Sequence, residues 1–232
     1  MRELKSRIQL VLRAALAGVV LTSVAACTTT APVENDFPVP VVSSMPLTVG
    51  IQYGEEFQNF EHRDEIPGQQ GWVVQMGPAN VGLFDNVFGA MFSETVQIPG
   101  DGSIETGELG VSRRQLDAII RPEIESYEFA IPSEWGTNTF TVWITYRMHM
   151  YRPDGSLIAT WPVRAYGESL HQWFNSDDSL SEATTMAMRD AGAYLTLYFK
   201  DEPKVREWIR EEADSQARER RRGNRPGRPR QY

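Results

Sequence analysis

Cysteine occurs once in the 232 residues, at Cys27. A single thiol excludes an intrachain disulfide, so the fold must be held by its apolar core alone. Histidine is nearly as scarce. His62, His149 and His171 are the only three, and no two share the spacing of a helix-borne metal pair. His62 lies in the acidic run 61–65 and could join Glu55 and Glu56 around a divalent cation. The same run reads as a solvated acidic loop, and it lacks the ordered oxygen pattern of a calcium loop. The expected metal and cofactor complement is therefore none. There is no G-x-S-x-G elbow and no phosphate-binding loop. Gly100 and Gly102 are followed by Gly107, which is out of register for a dinucleotide fingerprint, so the segment marks a turn. A triad dispersed through the fold is the weaker alternative, since triads are set by geometry. The reading is that the chain is not an enzyme. After residue 26 no stretch is apolar enough to cross a bilayer.

What is present begins at the N-terminus. Arg2, Lys5, Arg7 and Arg13 give a basic n-region, with Glu3 the one acid. Residues 14–21 are apolar but too short to span a membrane. Val24-Ala25-Ala26-Cys27 then resembles the lipobox of bacterial lipoproteins. That resemblance implies a signal peptide over 1–26, cleavage before Cys27, and acyl chains such as palmitate carried by Cys27. Each buried methylene contributes about 0.8 kcal/mol, so several chains on one residue hold stably. Thr28, rather than Asp, after the cysteine implies sorting to the outer membrane, with the inner membrane as the lesser alternative. The competing reading is a plain signal peptide followed by an incidental free thiol.

The net charge of −8 is unevenly placed. Residues 1–27 carry +3. Residues 28–203 hold nine basic and 25 acidic side chains, a net −16. Residues 204–232 hold ten basic and five acidic, a net +5. A domain at −16 does not attract nucleic acid. The C-terminal segment, with Arg218, Arg220, Arg221, Arg222, Arg225, Arg228 and Arg230, could meet an anionic envelope polymer or lipid, at about 1 kcal/mol per basic residue near an anionic surface. Its alternative reading is a solubilising end that folds back on the acidic domain.

Residues 27–46 are rich in Pro and Thr and predict an extended tether. Its last 19 residues could lift the domain roughly 60 Å from a membrane. Residues 47–202 predict the folded α+β domain. Leu47, Val49, Ile51 and Tyr53 alternate as a half-buried strand, and 72–76 follow as a second. Leu83, Phe84, Val87, Phe88, Met91 and Phe92 recur as one face of a helix that Asn80 could cap. Gly89 within it suggests close contact with the sheet. Residues 116–121 and 124–131 read as strand with Pro122 at an edge or bulge. Residues 140–151 alternate almost perfectly and, with the turn Arg152-Pro153-Asp154-Gly155, predict a hairpin to 157–166. Ser179 to Glu182 reads as a capping box opening a helix with apolar positions Ala183, Met186, Ala187, Ala191, Tyr194 and Leu197. Residues 203–217 form an amphipathic helix around Val205, Trp208 and Ile209. Residues 218–232 have nothing to bury and read as disordered. The expected fold is an antiparallel sheet of four to five strands packed on two helices, plus the C-terminal helix.

This layout, carried by 83–92, 117–122, 146–155 and 183–201, resembles the YajG-like lipoproteins. It is also similar to the α+β domain of curli-secretion and penicillin-binding-protein-activator lipoproteins. The resemblance covers roughly residues 47–210 and implies an accessory or assembly role in the envelope, with no shared catalytic residues. It places the domain in the periplasm, with an envelope protein as partner.

Two surfaces follow from the long strand. Phe140, Val142, Ile144, Tyr146, Met148 and Met150 face one way. Trp143, Arg147, His149 and Tyr151 face the other, and aromatic and Arg side chains are typical of interface anchors. This second row is either a partner-docking strip or a face covered by a helix, with Trp208 packing nearby. Finally, Met76, Met91, Phe92, Met148, Met150 and Met186 are adaptable enough to line a ligand cavity. The alternative function is thus a lipid or small-ligand carrier. The plainer reading is that these side chains fill an ordinary core.

Overall fold

The computed structural model describes residues 28–64, 71–100, 116–132, 138–170 and 176–223. His171 and residues 1–27 and 224–232 lie outside them. In chain order the elements are β1 (Thr28–Pro32), β2 (Met45–Gln52), α1 (Glu55–Gln58), β3 (Glu61–Asp64), β4 (Gly71–Gln75), α2 (Gly77–Met91), β5 (Phe92–Ile98), β6 (Ala118–Ala130), β7 (Thr139–Tyr151), β8 (Leu157–Leu170), α3 (Ser176–Tyr198), a 3₁₀ turn (Phe199–Asp201) and α4 (Pro203–Gly223).

The fold is α+β, built on a five-stranded sheet of order β5-β2-β6-β7-β8. Alternation in β7, which lies between β6 and β8, sets its two faces. Phe140, Val142, Ile144, Tyr146, Met148 and Met150 are all buried on one face, as their spacing predicts. The turn after β7 closes as expected, with the Gly155 amide donating to the Arg152 carbonyl at 2.9 Å and Gly155 at φ 91°, where glycine carries no Cβ penalty. β7 then pairs antiparallel with β8 from Tyr151↔Leu157 to Thr139↔Leu170. Pro122 sits in β6 beyond Ile120, where pairing with β2 has ended, so its missing N–H costs no ladder bond.

The sheet is mixed rather than antiparallel. β2 runs parallel to both β5 and β6. The β2-to-β5 link carries α2, the crossover that parallel neighbours require. A second sheet, β1-β4-β3, was not expected from the sequence. It corrects the reading of 27–46 as a tether without packed elements. β1 pairs parallel with β4 from Thr28↔Gly71 to Pro32↔Gln75, and Ala31 and Phe37 are buried. The threonines favour a pleated, half-buried strand. The following segment lies along α3, where Ser181 donates to the Pro32 carbonyl at 2.6 Å and Arg189 to the Asp36 carbonyl at 3.3 Å.

Three helix boundaries also differ from expectation. α2 opens at Gly77 with Pro78 in its first turn, so Asn80 is not its cap. Asn80 is buried and accepts the Tyr146 hydroxyl at 2.9 Å. α3 begins at Ser176, with Asp177 and Asp178 complementing the positive end of its dipole. Ser179 is therefore inside the helix, its carbonyl taken by Ser169. α4 continues to Gly223, past the predicted end at 217, since residues 218–222 are arginine- and glutamate-rich helix formers.

α2, α3 and the small sheet cover one face of the large sheet. Phe84 on α2 packs against Phe57 and Tyr146, with ring centres 5.5 and 5.2 Å apart. Full burial of such a side chain contributes about 1.5–3 kcal/mol. α3 crosses β8 at Gly167, where a Cβ would stand 2.2 Å from the Ala183 carbonyl oxygen and 2.4 Å from the Ala187 amide nitrogen. Trp72 of β4 meets Phe129 and Phe140 at 6.1 and 5.6 Å. Gly89, by contrast, has nothing within 4 Å of a built Cβ and faces outward, so it marks no contact with the sheet.

Candidate docking face

The row opposite the core is where the predicted strip falls. Trp143 keeps 43% of its surface and Tyr166, its partner across β7–β8, keeps 44%. Their rings lie 6.1 Å apart. Arg147 pairs with Glu125 on β6. His149 lies 3.3 Å from a Glu123 oxygen and 3.1 Å from the Thr160 hydroxyl, and its ring stacks 6.3 Å from Tyr151. Arg121 reaches Glu123 at 3.1 Å, and Tyr166 donates to Glu168. The Glu168 contact raises the Tyr166 hydroxyl pKa. Alternation of the pleat brings all four predicted residues onto this one face. Cross-strand pairing then adds the acidic partners that the single strand could not reveal.

Trp208 is not near this row. It is buried in the main core with Val205 and Phe199, on the other side of the sheet. α4 is rooted at the hairpin turn, where Arg152 pairs with Glu211 at 2.6 Å. Burial raises the Glu212 pKa there, with Asp117 adding to it. Arg218 and Arg221 on α4 are exposed; the side chains of Arg220 and Arg222, together with Arg225, Arg228 and Arg230, lie outside the described residues.

The helix stripe read on α3 splits in two. Ala183, Ala187 and Ala191 are buried, joined by Leu180, Met188 and Leu195. Met186 and Tyr194 each keep 40% of their surface and Leu197 keeps 68%. The methionine set splits with it. Met76, Met91, Phe92, Met148 and Met150 are core, and Met186 is outside, so the six do not converge on one cavity. An apolar groove of about 390 Å³ lies instead between residues 37–42, Leu83 and Val87 of α2, and Gly192, Ala193 and Thr196 of α3. Sequence reasoning missed it. Its signals were the valine–proline run 38–42 and Gly192, whose bareness lets α3 approach Leu83 and Val87.

The acidic loop does not assemble around His62. His62 packs on Tyr127 and Phe129, with ring centres 4.8 and 6.0 Å away, and burial lowers its pKa against the pull of Asp64. Glu55 and Glu56 line a separate groove of about 290 Å³ with Arg121 and Glu123. Among the described residues, no group of three or more His, Cys, Asp or Glu side chains could hold a metal ion. Among them, too, no helix is long and apolar enough to cross a membrane.

No family model matches the chain, and no curated protein matches it. Solved structures do. Protein XCC0632 from Xanthomonas campestris, of the DUF330 family, is 14% identical, with a TM-score of 0.42 over 82% of this chain and 99% of that one. A candidate lipoprotein from Caulobacter crescentus CB15 is 7% identical, with a TM-score of 0.34 over 55% of this chain and 77% of that one. Protein CT253 from Chlamydia trachomatis is 9% identical, with a TM-score of 0.36 over 66% of this chain and 98% of that one.

Proposed function

We propose that this chain is a lipoprotein anchored through Cys27 in the outer membrane, acting without catalysis as an accessory or assembly factor in the periplasm. The observation that carries the reading is the β7–β8 part of the outer sheet face, uncovered among the described residues. Trp143 and Tyr166 lie exposed there, side by side, with the Arg147–Glu125 and His149–Glu123 pairs on the β6 side and Glu168 on the other. An aromatic pair framed by polar groups is the composition of an interface anchor. Anchoring would confine the domain to a thin layer and raise its effective concentration for a partner held in the same layer. The double variant W143A/R147A tests this in intact cells by crosslinking and affinity capture. The expected result is loss of a saturable protein partner from a chain that still folds and unfolds cooperatively. Undiminished capture of that partner overturns the docking face.

The apolar groove against residues 37–42 favours a second reading, a lipid or small-ligand carrier. Native mass spectrometry of the purified chain separates the two: a bound lipid supports the carrier, and its absence beside a stoichiometric protein supports the accessory role.

A further inference from the structure

β1 begins one residue after the cysteine. Cys27 is bonded directly to Thr28, and Thr28 is already paired with Gly71. Given the reading of Cys27 as lipidated, no slack chain separates the acyl group from the folded domain. The packing identifies the end of the molecule held there. Gly71 neighbours Trp72, and Trp72 meets Phe129 and Phe140, each one residue from a strand end. Ala130 closes β6, Thr139 opens β7, and Thr139 pairs with Leu170, the last residue of β8. Thr28, Gly71, Ala130, Thr139 and Leu170 therefore share one rim. Leu170 keeps 69% of its surface there.

We propose that this rim lies flat on the lipid surface and stands the five-stranded sheet upright on the bilayer. The partner is zwitterionic lipid rather than anionic lipid, because residues 28–203 carry −16, Asp64 pairs with Trp72, and Asp177 and Asp178 open α3 beside Ser169 at the end of β8. Tyr166 lies four residues above Leu170 on the same face, about 13 Å along the strand at 3.3 Å per residue. The Trp143–Tyr166 pair therefore meets partners close to the membrane. The hairpin turn at residues 152–156 and the root of α4 point away, about 40 Å above the rim. The arginines of α4 are then carried away from the anchoring membrane rather than onto it.

The test uses the full chain purified from membranes and placed in phosphatidylcholine vesicles that carry doxyl-labelled lipid. Acylated Cys27 offers no thiol, so L170C and L157C each accept one environment-sensitive fluorophore. Leu157 is exposed at the far end of the same strand. The expected result is quenching at position 170 severalfold stronger than at position 157. Equal quenching at the two positions, in a chain that floats with the vesicles and carries acyl groups by mass spectrometry, overturns the upright rim and leaves the lipoprotein reading intact. A chain with no acyl group on Cys27 overturns both.

Discussion

The two faces of the five-stranded sheet are made from the same strands and obey different physics. On the covered face, Phe140, Val142, Ile144, Tyr146, Met148 and Met150 are closed off by α2, α3 and the small sheet. Stability there comes from buried area and close packing. On the other face, Arg147–Glu125, His149–Glu123 and Arg121–Glu123 pair where water still reaches them. Such pairs contribute little, about 0–1 kcal/mol each. The covered face holds most of the fold; on the other, Ile98, Leu116 and Ile119 bury a smaller cluster against Tyr151, and the β7–β8 part beyond it is free to serve recognition, so mutations should sort by face. F84A removes a fully buried ring in contact with Phe57 and Tyr146 and should cost about 3–5 kcal/mol in denaturant unfolding. R147A should cost at most about 1 kcal/mol. A loss of several kcal/mol in R147A would break the comparison and make the open face structural.

Two glycines sharpen the same division. Gly167 lies under α3, and a Cβ there would press on backbone atoms of Ala183 and Ala187 rather than on a flexible side-chain tip. The helix must move to admit it, so G167A should destabilise by about 1–3 kcal/mol. Gly89 is on the outer side of α2 with open space around it. G89A should stabilise by up to about 1 kcal/mol, the helix propensity difference. Thermal unfolding of the pair reads both signs. A stabilised G167A would mean that α3 does not rest on β8 at that point.

The faces were legible in the sequence because alternation is a local signal. The β7 row, the hairpin turn and the apolar face of α2 all follow from residue spacing. What was missed depends on contacts distant in sequence. Thr28 to Pro32 looked like tether because five residues cannot show that β4, some 40 residues on, offers them a parallel partner. Met186, Tyr194 and Leu197 looked like core because a helix rich in alanine and apolar residues has two candidate stripes. Small Ala183, Ala187 and Ala191 won the sheet side because they let α3 lie close over Gly167. Asn80 looked like a cap because its partner, Tyr146, is 66 residues away. The docking row was legible as a pattern, but its acidic partners on β6 were not. The groove beside residues 37–42 was invisible until that segment was seen lying along α3.

The smallest expected effect lies where the small sheet closes the covered face. His62 is half-buried against Tyr127 and Phe129, and burial lowers its pKa below the ordinary 6.5. In the window between its folded value and 6.5 the unfolded chain binds more protons than the folded one. Stability contributed by His62 therefore rises with pH through that window and is lost as pH falls from 6.5 toward the folded value. Glu212 acts in the opposite sense, because its raised carboxyl pKa favours the proton when folded and that contribution fades as pH rises. Other groups add to the wild-type slope, so the informative quantity is the change made by H62F. Urea midpoints across the range just below pH 6.5 should climb with pH less steeply in H62F than in wild type. An unchanged slope would show that His62 is solvated like any open-face residue, and that the small sheet does not seal the covered face at β6.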